Sequence, residues 1–332
     1  MENKKIAVLT SGGDSPAMNA TICSFVASAR SCGWDVYGVI DGYKGLIESN
    51  FSKLDFRSLK DKVYCAGTCI GSSRCLEFKN DPKVREKCVE NLKREGFSCL
   101  FVIGGDGSYQ GANLINKLGF PVIAAPGTID NDVSSSHFTI GFFSALEEIF
   151  SAVKKIKATS DSHSQITFLE VMGRDCYDLS AFAGLASMVD YVITNKNPKS
   201  VDEMYEVLEA MVQKGNRGIV VLVTERVYGE KFGFGMPSLP EFCAALEKKL
   251  GRQVRASVLG YIQRGALPTS WDLFMSSSFG IKAIECLKAG ETGIALGFDG
   301  RSFYSTPLDK ATLTPKNSSF KEVEFINSLY KL

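Results

Sequence analysis

Short apolar runs that end in glycine and acidic turns, each followed by a helical pattern, constrain this chain most. Ile6 to Leu9 runs into Gly12-Gly13-Asp14, and Cys99 to Ile103 runs into Gly104-Gly105-Asp106-Gly107-Ser108. Pro121 to Ala125 runs into Pro126-Gly127-Thr128-Ile129-Asp130-Asn131-Asp132. A brief apolar run bounded by turn residues reads as a buried strand, and strands alternating with helices read as a mostly parallel sheet covered on both faces. Helices are predicted from Ser15 or Pro16 to about Cys32, and over Val84 to Glu95, Ser108 to Lys117 and Phe142 to Ala158. Val36 to Ile40 supplies a further strand.

A second alternating set follows. Strands are predicted at Ile166 to Val171, Tyr191 to Thr194, Gly218 to Val223 and Arg255 to Leu259. Helices are predicted at Leu179 to Val189, Val201 to Lys214, Leu239 to Leu250 and Trp271 to Ala289. Gly229 to Pro240, rich in Gly, Phe and Pro, reads as a surface loop or insertion. A length of 332 residues with 45% hydrophobic residues suits two α/β units. In open α/β sheets, ligands sit outside the carboxyl ends of the strands.

Composition removes several classes of partner. A net charge of +1 gives no basic field for nucleic acid and no attraction to a membrane surface. No apolar stretch approaches the ~20 residues of a membrane span. The chain has 10 Cys but no secretory signal and no C-x-x-C, and only 2 His, so reduced thiols in a cytoplasmic protein are expected rather than a zinc site.

The three turns carry the chemistry. A strand end, a glycine turn and a helix start present free N–H groups to an anion, and glycine lets a phosphate approach the backbone. Carboxylates beside them suit Mg²⁺ or a proton. There is no G-x-x-x-x-G-K-[ST] and no G-x-G-x-x-G followed by a suitably placed acid, which argues against Walker-type NTPases and Rossmann dehydrogenases. The combination suggests phosphoryl transfer from a nucleotide without a P-loop. Asp130 and Asp132 are two apart, so an extended backbone would put both on one side. Carboxylates that close repel unless a cation neutralises them.

These segments, together with Asp41-Gly42-Tyr43, Gly71-Ser72-Ser73-Arg74, Thr139-Ile140-Gly141-Phe142, Val171-Met172-Gly173-Arg174, Thr224-Glu225 and Ile262-Gln263-Arg264-Gly265, closely resemble the bacterial ATP-dependent 6-phosphofructokinases. The match is nearly collinear from Lys5 to about Arg264. It implies two three-layer αβα domains: 1–141 plus about 262–310 for nucleotide, and 142–261 plus about 311–332 for sugar phosphate. It implies that Gly13, Arg74, Cys75, Gly105, Asp106, Gly107 and Ser108 hold ATP, the co-substrate, and that Asp106 binds Mg²⁺. It implies Asp130 as the base for the 1-hydroxyl of fructose 6-phosphate, supported by Thr128 and Asp132. Arg174 would stabilise the transferring phosphoryl, and Met172, Gly173 and Glu225 would hold the sugar. Arg255 and Arg264 would take its 6-phosphate, one of them across a subunit boundary in a homotetramer. In the resembling family, Gly at positions 107 and 127 goes with ATP, whereas Asp and Lys there go with pyrophosphate.

The chain also departs from that family. Gln165 and Tyr261 stand where Arg and His usually help hold the 6-phosphate, and Leu273 follows Asp272 where an Arg is common. At the effector pocket Cys23 and Ala27 replace Arg, Asn216 replaces Lys, and Asp190 replaces a metal-binding Glu, while Lys157 and Lys214 remain. Neutral groups make weaker hydrogen bonds to phosphate than charged ones. Weak or absent response to ADP and phosphoenolpyruvate is therefore expected. Two alternatives stay open: the same chemistry on a different sugar phosphate, or a non-catalytic subunit paired with an active paralogue. His163 and His137 are expected to be structural, and Cys75 to pack.

Overall fold

A computed structural model describes residues 4–229, 237–312, 316 and 318–331. The chain divides into two compact units: Met1–Ser144 with Arg264–Asn317, and Ala145–Gln263 with Ser318–Leu332.

The larger unit is built on strands β1 (Lys5–Ser11), β2 (Asp35–Val39), β3 (Phe51–Lys53), β4 (Cys99–Gly104), β5 (Val122–Pro126), and later β10 (Ile294–Phe298) and β11 (Phe303–Pro307). Their order is β11-β10-β5-β4-β1-β2-β3. The five central strands run parallel, while β3 and β11 pair antiparallel at the two edges. The strand period of two sorts the core: Ile6, Val8, Phe101 and Ile103 enter one apolar cluster, and Ala7, Leu9, Leu100 and Val102 enter another on the opposite face. Helices cover both clusters, which makes three layers and explains why the central strands are apolar throughout.

The smaller unit holds β6 (Ile166–Val171), β7 (Tyr191–Ile193), β8 (Ile219–Thr224) and β9 (Val254–Val258), all parallel, in the order β7-β8-β6-β9. Helices Val201–Gln213 and Leu239–Leu250 bury Met204, Leu208, Phe242 and Leu246 against Phe168 and Val221. A capping box of Ser200 and Glu203 opens the first of them. On the other face, Gly184 of the helix Asp178–Ser187 comes so close to Val192 and Ile326 that a methyl group there would crowd both.

Several expectations need adjustment. The helix expected from Ser15 or Pro16 opens at Met18, because Ala17 is left-handed (φ 66°). The helix expected from Ser108 begins at Asp106, so that carboxylate sits in a first helical turn. The helix from Phe142 runs to His163, and His163 lies in its last turn. β3, β10, β11 and the helix Lys321–Ser328 have short or weakly patterned sequences and were not anticipated. Of the loop expected at 229–240, residues 230–236 lie outside the described residues, and the helix Leu239–Leu250 takes its last two positions.

Candidate active site

The parallel register brings the three sequence turns together. Ser11 pairs with Gly104, and Gly104 pairs with Pro126, so the turns leave the carboxyl ends of three neighbouring strands. Backbone and side-chain bonds tie them. Gly127 N–H donates to the Gly104 carbonyl at 3.0 Å. The Ser108 hydroxyl donates to the Ser11 carbonyl at 3.0 Å, and the Tyr43 hydroxyl donates to the Ser108 carbonyl at 2.8 Å. Gly104 cannot carry a side chain, because a Cβ would collide with Ser108 and the Ser11 carbonyl. Gly107 is exposed, with nothing within 4 Å of where its Cβ would lie, so its turn faces open space.

Asp106 is half-buried at the start of its helix, where the unbonded N–H groups favour an anion. One of its oxygens accepts from Gln110 Nε2 at 2.8 Å. Gly13 lies at the end of β1 with the Arg264 guanidinium over it: a Cβ on Gly13 would sit 3.1 Å from Arg264 Cζ. Ser72 donates to the Gly12 carbonyl at 2.8 Å, which brings the segment leading to exposed Arg74 alongside. Cys75 packs on the apolar cluster behind it.

At the end of β5 the Thr128 hydroxyl accepts from Asp130 N–H at 3.2 Å, and the Thr128 carbonyl accepts from the Thr139 hydroxyl at 2.6 Å. Asp130 is buried. The extended path assumed for Asp130 to Asp132 is corrected: Asn131 is left-handed at φ 53°, so strand alternation does not place the two carboxylates. Asn131 Nδ2 instead donates to the His137 carbonyl, which holds the turn. At Gly127 a Cβ would come within 2.8 Å of both Ile103 and Met18, so in this chain close packing is a further reason for glycine there.

In the smaller unit, the ends of β6 and β8 meet, with Val171 paired to Thr224. The Glu225 carboxylate accepts from Arg174 N–H at 2.8 Å, and Glu225 N–H donates to the Val171 carbonyl at 2.8 Å. Arg174 is left-handed at φ 56°, and Gly173, at φ 142°, leaves no room for a Cβ beside the Cys176 carbonyl. Burial first, and then neighbouring Glu225, push the Glu170 carboxyl upward. Gln263, within the Ile262-Gln263-Arg264-Gly265 segment, is fully buried, and its amide oxygen accepts from Met172 N–H at 3.1 Å.

Gln165 and Arg255 stand elsewhere. Gln165 immediately precedes β6, and Arg255 pairs with Thr167 near the same end of the sheet. At about 3.3 Å per residue, seven residues separate Gln165 from Met172 by roughly 23 Å. Arg255 bonds the Glu247 carboxylate at 3.1 Å. Tyr261 is 78% exposed.

A model of the phosphofructokinase family matches residues 5–287. The chain is similar to a protein named ATP-dependent 6-phosphofructokinase from Pectobacterium carotovorum, 42% identical over 294 residues, 89% of each chain. One of the same name from Mycoplasma mobile is 40% identical over 330 residues, 99% of this chain and 98% of that one. Among solved structures, Pichia pastoris phosphofructokinase in the T-state superposes with a TM-score of 0.86 at 29% identity. That alignment covers 94% of this chain and 36% of the yeast chain, so this chain spans about a third of that relative's length. A pyrophosphate-dependent phosphofructokinase from Nitrosospira multiformis shares the fold, with a TM-score of 0.85 at 20% identity, over 96% of this chain and 86% of that one. With the family model covering residues 5–287 and a relative 40% identical over 99% of this chain, the chain belongs to the phosphofructokinase family.

Proposed function

We propose that this protein transfers the γ-phosphoryl group of ATP to the 1-hydroxyl of fructose 6-phosphate, giving fructose 1,6-bisphosphate and ADP. The observation that carries the reading is the convergence of three glycine turns at adjoining strand ends with Asp106, Thr128 and Asp130 among them. Phosphoryl transfer depends on positioning and charge more than on covalent chemistry. In this reading Gly13, Arg74, Cys75 and Gly105 to Ser108 hold the nucleotide. Asp130 takes the hydroxyl proton, the Thr128 hydroxyl fixes the Asp130 backbone, and Asp132 adds negative charge nearby. Met172, Gly173 and Glu225 hold the sugar. Glu225, through the Arg174 backbone, sets where that guanidinium starts, so Arg174 can meet the charge on the transferring group.

Asp106 fits Mg²⁺. No group of three or more His, Cys, Asp or Glu able to hold a metal occurs among the described residues, so the protein would supply one carboxylate and the nucleotide phosphates and water the rest. Bound there, the ion would neutralise phosphate charge. The open space at Gly107 supports ATP rather than pyrophosphate as donor.

The acceptor pocket supports a homotetramer. Gln165 lies roughly 23 Å along the sheet from Met172, and Arg255, level with Thr167, roughly 17 Å, too far for one chain to wrap a single sugar phosphate with both sets. A second copy would bring them to it. Muted allostery is supported by how the remaining cations are engaged. Lys157 Nζ donates to the Gly218 carbonyl and lies 3.5 Å from both Asp161 and Asp190. Lys214 donates to the Tyr330 carbonyl, and Cys23 is buried. A cytoplasmic setting accords with ten free thiols, and no described helix is long and apolar enough to cross a membrane.

Steady-state kinetics on a panel of sugar phosphates, with ATP and pyrophosphate compared as donors, test the reading. Turnover on fructose 6-phosphate with ATP is expected, with saturation curves little moved by millimolar ADP or phosphoenolpyruvate. Preference for another sugar phosphate would favour the second acceptor reading, which Gln165 and exposed Tyr261 motivate.

A further inference from the structure

Gly13 and Arg264 belong to different halves of the reaction just proposed: Gly13 to the donor and Arg264 to the acceptor's far phosphate. In the larger unit the two touch. A Cβ built on Gly13 would meet Arg264 Cζ at 3.1 Å, Nη2 at 3.2 Å and Nη1 at 3.3 Å. All three atoms belong to one planar group, so the guanidinium lies across the Gly13 backbone rather than pointing past it. Such distances are shorter than ordinary carbon contacts of about 3.5–4.0 Å. Gly13 is not in the left-handed region, unlike Gly12 at φ 85°. Alanine at position 13 would therefore meet no left-handed strain, and its three nearest neighbouring atoms would all belong to this guanidinium. Left-handed backbone does not explain a glycine at 13; beside the approach of the donor phosphate, the packing of Arg264 does.

We infer that Gly13 is a positioning residue for the acceptor phosphate, acting through Arg264, in addition to its contact with the donor. This rests on the functional reading above and assigns that site a coupling between its two substrates. The planar guanidinium binds phosphate through a fixed fork of N–H donors, so a small displacement spoils both bonds of the fork together. A Cβ at position 13 displaces it. The donor turn is then the floor on which the acceptor's cation rests.

The test is a double-mutant cycle on the full-length protein with Gly13→Ala, Arg264→Gln and the pair. KM for fructose 6-phosphate is measured at saturating ATP, KM for ATP at saturating sugar phosphate, and sugar-phosphate binding by calorimetry. Gly13→Ala should raise the acceptor KM about tenfold, in line with the cost of sub-ångström misplacement of a positioning group. Arg264→Gln should raise it at least as much, and Gly13→Ala should add less than twofold on the Arg264→Gln background. Multiplicative effects, or a rise confined to the ATP KM, would overturn the coupling. A wild-type protein without turnover on fructose 6-phosphate would overturn the functional reading instead, so the two failures are told apart.

Discussion

Replacing Asp272 by Asn should change how the stability of the larger unit depends on pH, in a direction set by its burial. Asp272 is fully buried. One carboxylate oxygen accepts from Ser144 N–H at 2.6 Å and from the Ser144 hydroxyl at 2.5 Å, and the other from Gly141 N–H at 3.2 Å. These donors sit at the start of the helix Phe142–His163. Two influences oppose each other: burial favours the neutral acid, while the donors at a helix start favour the anion. Burial is the larger, and the carboxyl is pushed up from 3.8 to about 6. Because the folded value lies above the unfolded one, the native state holds this proton more tightly. The stabilisation is therefore complete below 3.8 and is lost as pH rises through about 6. The interval is worth about 3 kcal/mol. Asn does not titrate, so the stability of the wild type over Asp272→Asn should shrink by about 2.4 kcal/mol between pH 4 and pH 7. Urea unfolding followed by tryptophan fluorescence reads this directly, since the chain's 2 Trp, Trp34 and Trp271, both lie in the larger unit. A difference that stays flat or grows with pH would refute the argument, and the helix-start donors would then govern the proton.

Other substitutions probe the proposed chemistry and the glycines around it. Asp130→Asn should lower kcat by about 10²–10⁴-fold with ATP affinity little changed; activity surviving within tenfold would remove Asp130 as the base. Gly173→Ala forces a Cβ onto the Cys176 carbonyl at φ 142°, and should cost about 1–3 kcal/mol in thermal unfolding while raising the acceptor KM. Gly127→Lys should lose about 1–3 kcal/mol by overpacking Ile103 and Met18 rather than simply exchange donors. A variant with an unchanged melting midpoint and new pyrophosphate-dependent turnover would restore the donor interpretation.

Legibility in the sequence followed the kind of interaction involved. The central strands β1, β4 and β5 were readable because burial on both faces leaves unbroken apolar runs such as Leu100 to Ile103, whereas β10 was not, its run being interrupted by Gly297. The edge strands β3 and β11 were not, since half of their residues face outward and the pattern dissolves. The donor turns were readable for a different reason. Gly104 and Gly127 are dictated by backbone approach and close packing, and glycine at such points is a local signal. Local signals could not reveal contacts made at long range. Gln263 bracing Met172, Asp272 holding Gly141 and Ser144, and Arg264 resting on Gly13 each join residues at least 91 apart in the chain. The Asn131 reversal was hidden because Asn is ordinary in both extended and left-handed backbone.

The same division bears on why the donor and acceptor ends differ in how closely they keep to the family pattern. Backbone N–H groups at Gly13 and Gly105 to Ser108 come with the fold, and one chain supplies them. The acceptor's far phosphate depends on side chains, and two of the candidates, Gln165 and Arg255, stand at the wrong end of their own sheet to help. If they act, they act on a neighbouring copy's substrate. Arg255 must then exchange the Glu247 carboxylate for a phosphate, while Gln165 brings hydrogen bonds without charge. An exposed ion pair is worth only about 0–1 kcal/mol, so the exchange is permitted once a copy delivers the ligand. Dilution below the assembly concentration should therefore raise the KM for fructose 6-phosphate and leave that for ATP unchanged, with light scattering recording dissociation in the same samples. An acceptor KM constant through dissociation would mean that one chain holds the whole substrate, and Gln165 would then be no substitute for the family's arginine but a residue with nothing to bind.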